Sequence, residues 1–204
     1  MARNIYGLDL GTYEIKVYDK KQDSTWKEKN VIAIVDGKEI LAVGDEAYAM
    51  FERTPGNIEV VFPMKEGVIS RFTDMQYLLQ NLLKKERRFT RGSEYLIAVP
   101  TDVTEVEKRA FFDLVVHSTA KAKEVSIVER GVAQCIGMGI DVWKTKGMLI
   151  VDFGAATTEL SVVGSGGMVL NKMLKIGGMT FDVAVQNMVR RNYDFLIGRQ
   201  TAEA

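Results

Sequence analysis

The stretch IYGLDLGTYEIKVYD, from Ile5 to Asp19, decides how this chain is read. Ile15, Val17 and their polar neighbours alternate with period two, so Asn4 to Asp19 reads as a strand, a Gly-Thr turn and a second strand. A second stretch, MLIVDFGAATTELSVV from Met148 to Val163, has the same form 143 positions downstream. Asp9 maps onto Asp152, Gly11 onto Gly154 and Val17 onto Leu160. A repeat at this distance implies two related lobes rather than a short solenoid.

Outward from the first hairpin, short extended runs at Val31 to Val35 and Glu39 to Val43 surround a short helix, Asp45 to Phe51, and a turn at Thr54 to Asn57. Residues 27–60 read as a small inserted subdomain. A helix is expected from Asp74 to about Arg88, with capping-box spacing at Thr73/Gln76 and an apolar stripe of Met75, Leu78, Leu79, Leu82 and Leu83. Strand Tyr95 to Val99, a capping box at Thr104/Glu107 opening a helix to His117, strand Val125 to Val128 and a Gly-rich helix to Gly139 follow. After Gly147 the pattern gives three strands and one helix, Phe181 to Asn192. Alternating strands and helices indicate an α/β fold, with a first lobe over residues 1–142 and the beginning of an incomplete second lobe over 147–204.

The 204 residues carry 27 basic and 27 acidic side chains, 47% apolar residues, three Pro, one His and one Cys. This composition suits a globular chain with a sizeable core and excludes both disorder and an apolar membrane protein. Zero net charge removes any whole-molecule argument for nucleic acid. Cys135 has no internal disulfide partner, and no run is long and apolar enough for a signal peptide or spanning helix, so a cytoplasmic location is expected.

A strand that ends in Asp and turns through Gly places a carboxylate beside successive backbone N–H groups, and Gly lets that backbone approach an anion. One such turn is common; two in matched frame are a specific signal. Across a cleft they could hold a polyphosphate, with Asp9 and Asp152 reaching hydrated Mg²⁺, which keeps several waters and needs few carboxylates. The absence of a G-x-x-x-x-G-K-[ST] run excludes a P-loop protein.

The ordered series GLDLGT, RTPGNI, PMKEGVI, AVPTDVTEVEKRA, VDFGAATTELSVV, IGGMTFD and FLIGRQTAEA resembles the MreB family of bacterial actin homologues. The resemblance implies an actin-like ATPase fold, ATP with Mg²⁺ between lobes, and self-associating filaments at the inner face of the cytoplasmic membrane that serve wall synthesis and rod shape. By that resemblance Asp9, Gly11 and Thr12 form the first phosphate loop, with Tyr13 and Glu14 at its tip. Asp152, Gly154 and Thr157 belong to the second loop, and Glu203 begins a ribose-contacting segment. Lys16 departs from the apolar residue usual in the family; related members of the actin superfamily place a lysine here that could meet a phosphate, and a solvated strand residue is the alternative.

Three departures bear on catalysis. Arg130-Gly131 stands where the family has a carboxylate followed by Pro, so the water-orienting group is a cation, and Glu129 is the remaining candidate. Neighbours on a helix point about 100° apart, so Glu129 could act only if the helix start were remodelled. Ala155 and Ala156 replace glycines in the second loop, and a positive φ there would cost roughly 1–2 kcal/mol each. The chain also stops at Ala204, which leaves a sheet face open to association. Weak or absent ATPase activity is therefore expected, with nucleotide as a conformational ligand; an active ATPase or phosphotransferase and an inactive fragment are the alternatives.

Lys84, Lys85, Arg87, Arg88 and Arg91 surround Phe89 where the family places a membrane-inserting segment. Such a patch suits an anionic leaflet at about 1 kcal/mol per cation, and equally a helix C-terminus. His117 reads as a capping or surface residue, Cys135 as core, and Met168, Met173, Met179 and Met188 as packing.

Overall fold

β1 (Ile5–Leu10) and β2 (Glu14–Asp19) form the expected antiparallel hairpin, and β3 (Ser24–Lys29), absent from the sequence reading, extends it. The other edge is parallel: β9 (Glu94–Val99) pairs with β1, and β10 (Glu124–Glu129) with β9. The computed structural model describes residues 4–85, 92–119 and 121–204, without the side chains of 84 and 85. The patch of Lys84, Lys85, Arg87, Arg88, Phe89 and Arg91 thus lies outside the described residues, apart from backbone at its first two positions.

One face of this sheet is covered by α2 (Phe72–Lys85) and α3 (Glu105–Val116). Alternation along the strands sends Tyr6, Leu8, Leu10, Ile15 and Val17 to that face, where the α2 stripe Met75, Leu78, Leu79 and Leu82 meets them. Each fully buried Leu or Ile contributes about 1.5–3 kcal/mol. The Thr104/Glu107 box is present: Thr104 Oγ1 accepts the Glu107 N–H at 3.2 Å and Glu107 accepts the Thr104 N–H at 2.7 Å. The Thr73/Gln76 box is not, because α2 begins at Phe72 and Thr73 lies inside its first turn; there the Arg71 carbonyl accepts the Met75 N–H, and Arg71 pairs with Asp74. His117 caps α3, its Nδ1 lying 3.0 Å from the Asp113 carbonyl.

Between β3 and α2 the chain builds β4 (Ile32–Val35), β5 (Glu39–Val43), α1 (Asp45–Ala49) and β6 (Ile58–Val61), with a sheet ordered β5-β4-β6 around Val31, Ala33 and Ala47. A two-residue hairpin then links β7 (Met64–Lys65) to β8 (Val68–Ile69). Its turn residues, Glu66 and Gly67, both have positive φ, at 51° and 84°.

α4 (Arg130–Gly137) leads into β11 (Met148–Phe153), β12 (Thr158–Gly164) and β13 (Gly167–Leu174), an antiparallel sheet. Cys135 of α4 is buried against Val142, Ile150 and Val163, with Met168 packed on the cluster. α5 (Gly178–Tyr193) starts one turn before the expected Phe181, and α6 (Arg199–Glu203) is an additional helix. No helix among the described residues is long and apolar enough to cross a membrane.

Candidate functional site

The two hairpins close their turns in the same way. The Gly11 N–H donates to the Glu14 carbonyl at 3.1 Å, and the Gly154 N–H to the Thr157 carbonyl at 2.9 Å. Cross-strand register repeats too, pairing Asp9 with Lys16 and Asp152 with Glu159. A Cβ on Gly11 would lie 2.6 Å from the Glu14 carbonyl oxygen, and one on Gly154 2.9 Å from that of Thr157. Both positions therefore need glycine for close backbone approach, although neither has positive φ.

Both turns line one cleft of about 310 Å³. Asp9, Gly11, Thr12, Tyr13, Glu14 and Lys16 contribute from the first hairpin, and Asp152, Gly154, Ala155, Ala156 and Thr157 from the second. Ala155 and Ala156 overturn one expectation, since neither has positive φ and the loop carries no left-handed strain at them. The loop instead rests on the start of α5: the Gly154 and Ala155 carbonyls accept from the Gly178 and Met179 N–H groups at 3.1 and 2.8 Å. Gly177 permits this contact, because its Cβ would stand 2.5 Å from the Gly154 oxygen.

Sequence reading missed Gly67, Gln134 and Glu159. The Gly67 N–H, presented by the left-handed β7–β8 turn, donates to Thr12 Oγ1 at 3.1 Å and leaves the Thr12 hydroxyl proton free to donate. Glu66 pairs with Lys175, just beyond β13, which holds the carboxyl below its ordinary range and the amine above its own. The turn of the PMKEGVI motif is thus hydrogen-bonded to the first loop. Gln134 lines the cleft one helical turn beyond Arg130.

Arg130 enters the cleft and Glu129 does not. Glu129 is the N-cap residue of α4, makes no side-chain cap bond and is not among the residues lining the cleft. Arg130 sits between the β1–β2 and β11–β12 hairpins, Nη2 at 3.4 Å from Asp9 Oδ1 and Nη1 at 3.8 Å from Glu159 Oε2. Glu159 Oε1 also accepts the Thr101 N–H at 3.1 Å and Asn171 Nδ2 at 2.7 Å. Gly131 permits this seat, since a Cβ there would lie 2.6 Å from Ser161 Cβ on β12.

Glu203 lies in an adjoining chamber of about 270 Å³ lined by Tyr13, Tyr48, Phe51 and Phe62. Tyr13 lines both spaces. Its hydroxyl donates to Glu203 at 2.8 Å and lies 2.6 Å from that of Tyr48, which donates to Glu203 at 2.7 Å. Lys29 Nζ stands 3.8 Å over the Tyr13 ring. Partial burial disfavours the Glu203 carboxylate, but the hydrogen bonds from Tyr48 and Tyr13, with Lys29 and Arg199 nearby, outweigh it and hold the carboxyl below its ordinary range. Burial first, then the Tyr48 and Glu203 hydrogen bonds, push the Tyr13 hydroxyl far above its usual range. Gln200 and Arg199 add bonds from α6 to the Tyr48 carbonyl and to Glu52, so α6 docks on the inserted subdomain.

Among the described residues no group of three or more His, Cys, Asp or Glu could hold a metal ion. Asp9 is engaged by two cations, Arg130 and Lys16, each at 3.4 Å. Asp152 lines the cleft and has no ion pair among the described residues. A Mg²⁺ carried mainly by phosphates and water therefore fits beside Asp152, and fits poorly at Asp9.

The profile of the MreB/Mbl protein family matches residues 3–204. The cell shape-determining protein MreB of Escherichia coli strain K12 is 40% identical over 100% of this chain and 60% of its own length. The cell shape-determining protein Mbl of Bacillus subtilis strain 168 is 34% identical over 99% of this chain and 61% of its own. The chain thus spans about 60% of the length of these curated relatives. The crystal structure of MreB 5 of Spiroplasma citri bound to AMPPNP superposes with a TM-score of 0.91 at 30% identity, over 100% of this chain and 61% of that one. The MamK double helical filament, at 20% identity and TM-score 0.80 over 99% of this chain and 63% of that one, shares the fold. With the paired hairpins, the α/β actin-like fold and a profile match over nearly every residue, the chain belongs to the MreB/Mbl family.

Proposed function

We propose that this chain is a nucleotide-responsive subunit of the cell-shape cytoskeleton, in which ATP bound between the lobes is a conformational ligand. One observation carries the reading: two equivalent Asp-x-Gly turns, one from each lobe, line the same cleft. Backbone N–H groups of both turns, the Thr12 hydroxyl and Lys16 would hold the phosphates, and Mg²⁺ would supply counter-charge near Asp152. The MreB 5 neighbours bound to AMPPNP and ADP support a nucleotide there.

Hydrolysis is slow on this reading. Arg130 cannot accept a proton from water, and Glu129 stands outside the cleft. Glu203 tethers α6 to Tyr13, so its role at a ribose would require release of that bond. Filament formation with itself or intact MreB-type subunits is supported by exposed apolar side chains on β11, β13 and α5, including Leu149, Phe153, Leu170 and Phe181. Attachment to the inner face of the membrane rests on the basic cluster around Phe89, and service to wall synthesis on the family.

Thermal unfolding with and without Mg-ATP tests the central claim. The midpoint rises if the native state alone binds the nucleotide, and an unchanged midpoint in a cooperatively folding chain overturns it. Phosphate release above that of Asp152→Ala would favour an active ATPase instead, and failure to co-sediment with itself or an intact family member would remove the filament role.

A further inference from the structure

Arg130 is almost buried, with 12% of its side chain exposed, yet its pairing is incomplete. The contacts to Asp9 and Glu159, at 3.4 and 3.8 Å, are long for charge-assisted hydrogen bonds. Arg130 Nε, Asp9 Oδ1 and Glu159 Oε2 are buried and make no hydrogen bond. Glu159 is held on its other oxygen by Thr101 and Asn171, with only 4% of its side chain exposed, so it cannot swing to complete the bridge. A guanidinium has five donors in a planar fork that matches phosphate oxygens, and here that fork lines the cleft between both anion-binding turns. Lys16, half exposed, adds a second cation on the same carboxylate.

We propose that Arg130 is a phosphate ligand that supplies counter-charge from the protein, so that polyphosphate binding in this cleft persists when Mg²⁺ is withdrawn. The inference rests on the nucleotide reading above and adds to it the source of the charge. Before phosphate enters, Arg130 is shared between a carboxylate from each lobe, which keeps a nearly buried cation from standing alone. On entry, phosphate oxygens take the unused donors, and the Asp9 contact is the one given up, because Asp9 retains Lys16.

The experiment measures AMPPNP affinity of the full chain by equilibrium dialysis in Mg²⁺ and in EDTA, for the unaltered protein, Arg130→Gln and Glu159→Gln. The unaltered chain should lose no more than about threefold in EDTA, and Arg130→Gln about tenfold or more in EDTA with a smaller loss in Mg²⁺. Glu159→Gln keeps the acceptor for Thr101 and Asn171 but removes the competing charge, so it should bind more tightly in EDTA. If the bridge is only a structural strut, Glu159→Gln binds equally or more weakly, which overturns the proposal even where Arg130→Gln fails to fold. A tenfold or greater dependence of the unaltered chain on Mg²⁺, or equal affinity of folded Arg130→Gln in EDTA, overturns it while the nucleotide reading stands. Absence of AMPPNP binding in both conditions overturns both.

Discussion

Positions 143 apart in the two hairpins share backbone geometry and differ in what covers them. Tyr6, Leu8 and Leu10 are 1%, 2% and 0% exposed, whereas their counterparts Leu149, Val151 and Phe153 are 59%, 41% and 74% exposed. In the β1–β2 sheet this face carries α2 and α3; in the β11–β12 sheet it is exposed among the described residues, and α4 packs with Ile150 on the opposite face. The turns nevertheless close with the same hydrogen bond and the same register. Such a turn is therefore a local product of Asp-x-Gly between two strands, and the stability of the strands that present it comes from elsewhere.

The largest test of this contrast is a matched pair in the strand face. Leu10→Ala should lower unfolding free energy by about 2–5 kcal/mol, because it opens a cavity in a covered core, and Phe153→Ala by less than about 0.5 kcal/mol. Urea denaturation reads both, and equal losses would break the comparison. Next in size, Gly11→Ala and Gly154→Ala should each cost about 1–3 kcal/mol, since each new Cβ meets a carbonyl of its own turn. A large loss at one glycine alone would show that the turns are not equivalent. Gly131→Ala should cost a similar amount by pushing α4 off Ser161, and should loosen the Arg130 bridge; unchanged protection of the Glu159 amide in hydrogen exchange would contradict it.

The smallest effect concerns α6, which bonds to Tyr13, Tyr48 and Glu52. The Glu203 carboxyl is held below its ordinary value of 4.5 in the folded chain, so its contribution is present above that pH and is lost as pH falls through the lower folded value. Hydrogen exchange of Thr201 to Glu203 should therefore accelerate on acidification below about pH 4.5, relative to protection of core strand β1. Glu203→Gln should bring that loosening to neutral pH, and identical exchange in the variant would remove the Tyr13–Tyr48–Glu203 clasp as a source of order.

Much of the site was legible from residues alone, because its signals are short-range. The Gly11 and Gly154 turns and the Thr104/Glu107 cap each depend on contacts within a few positions, where spacing and side-chain chemistry determine the geometry. The strain expected at Ala155 and Ala156 failed because φ there is set by the bonds of the loop to Gly178 and Met179 of α5, partners more than twenty residues away.

Long-range placement accounts for the remainder. Nothing near Glu66-Gly67 in sequence shows that this turn reaches Thr12, and nothing near Arg130 shows that it meets Glu159. Residue order was sufficient for two Asp-x-Gly hairpins, their duplication and the family, since these are patterns of adjacent side chains. Which face of each sheet is covered, which of Glu129 and Arg130 enters the cleft, and where Glu203 finds its partners depended on packing. Such contacts join groups separated by tens of residues, and their energies exist only once the elements have come together.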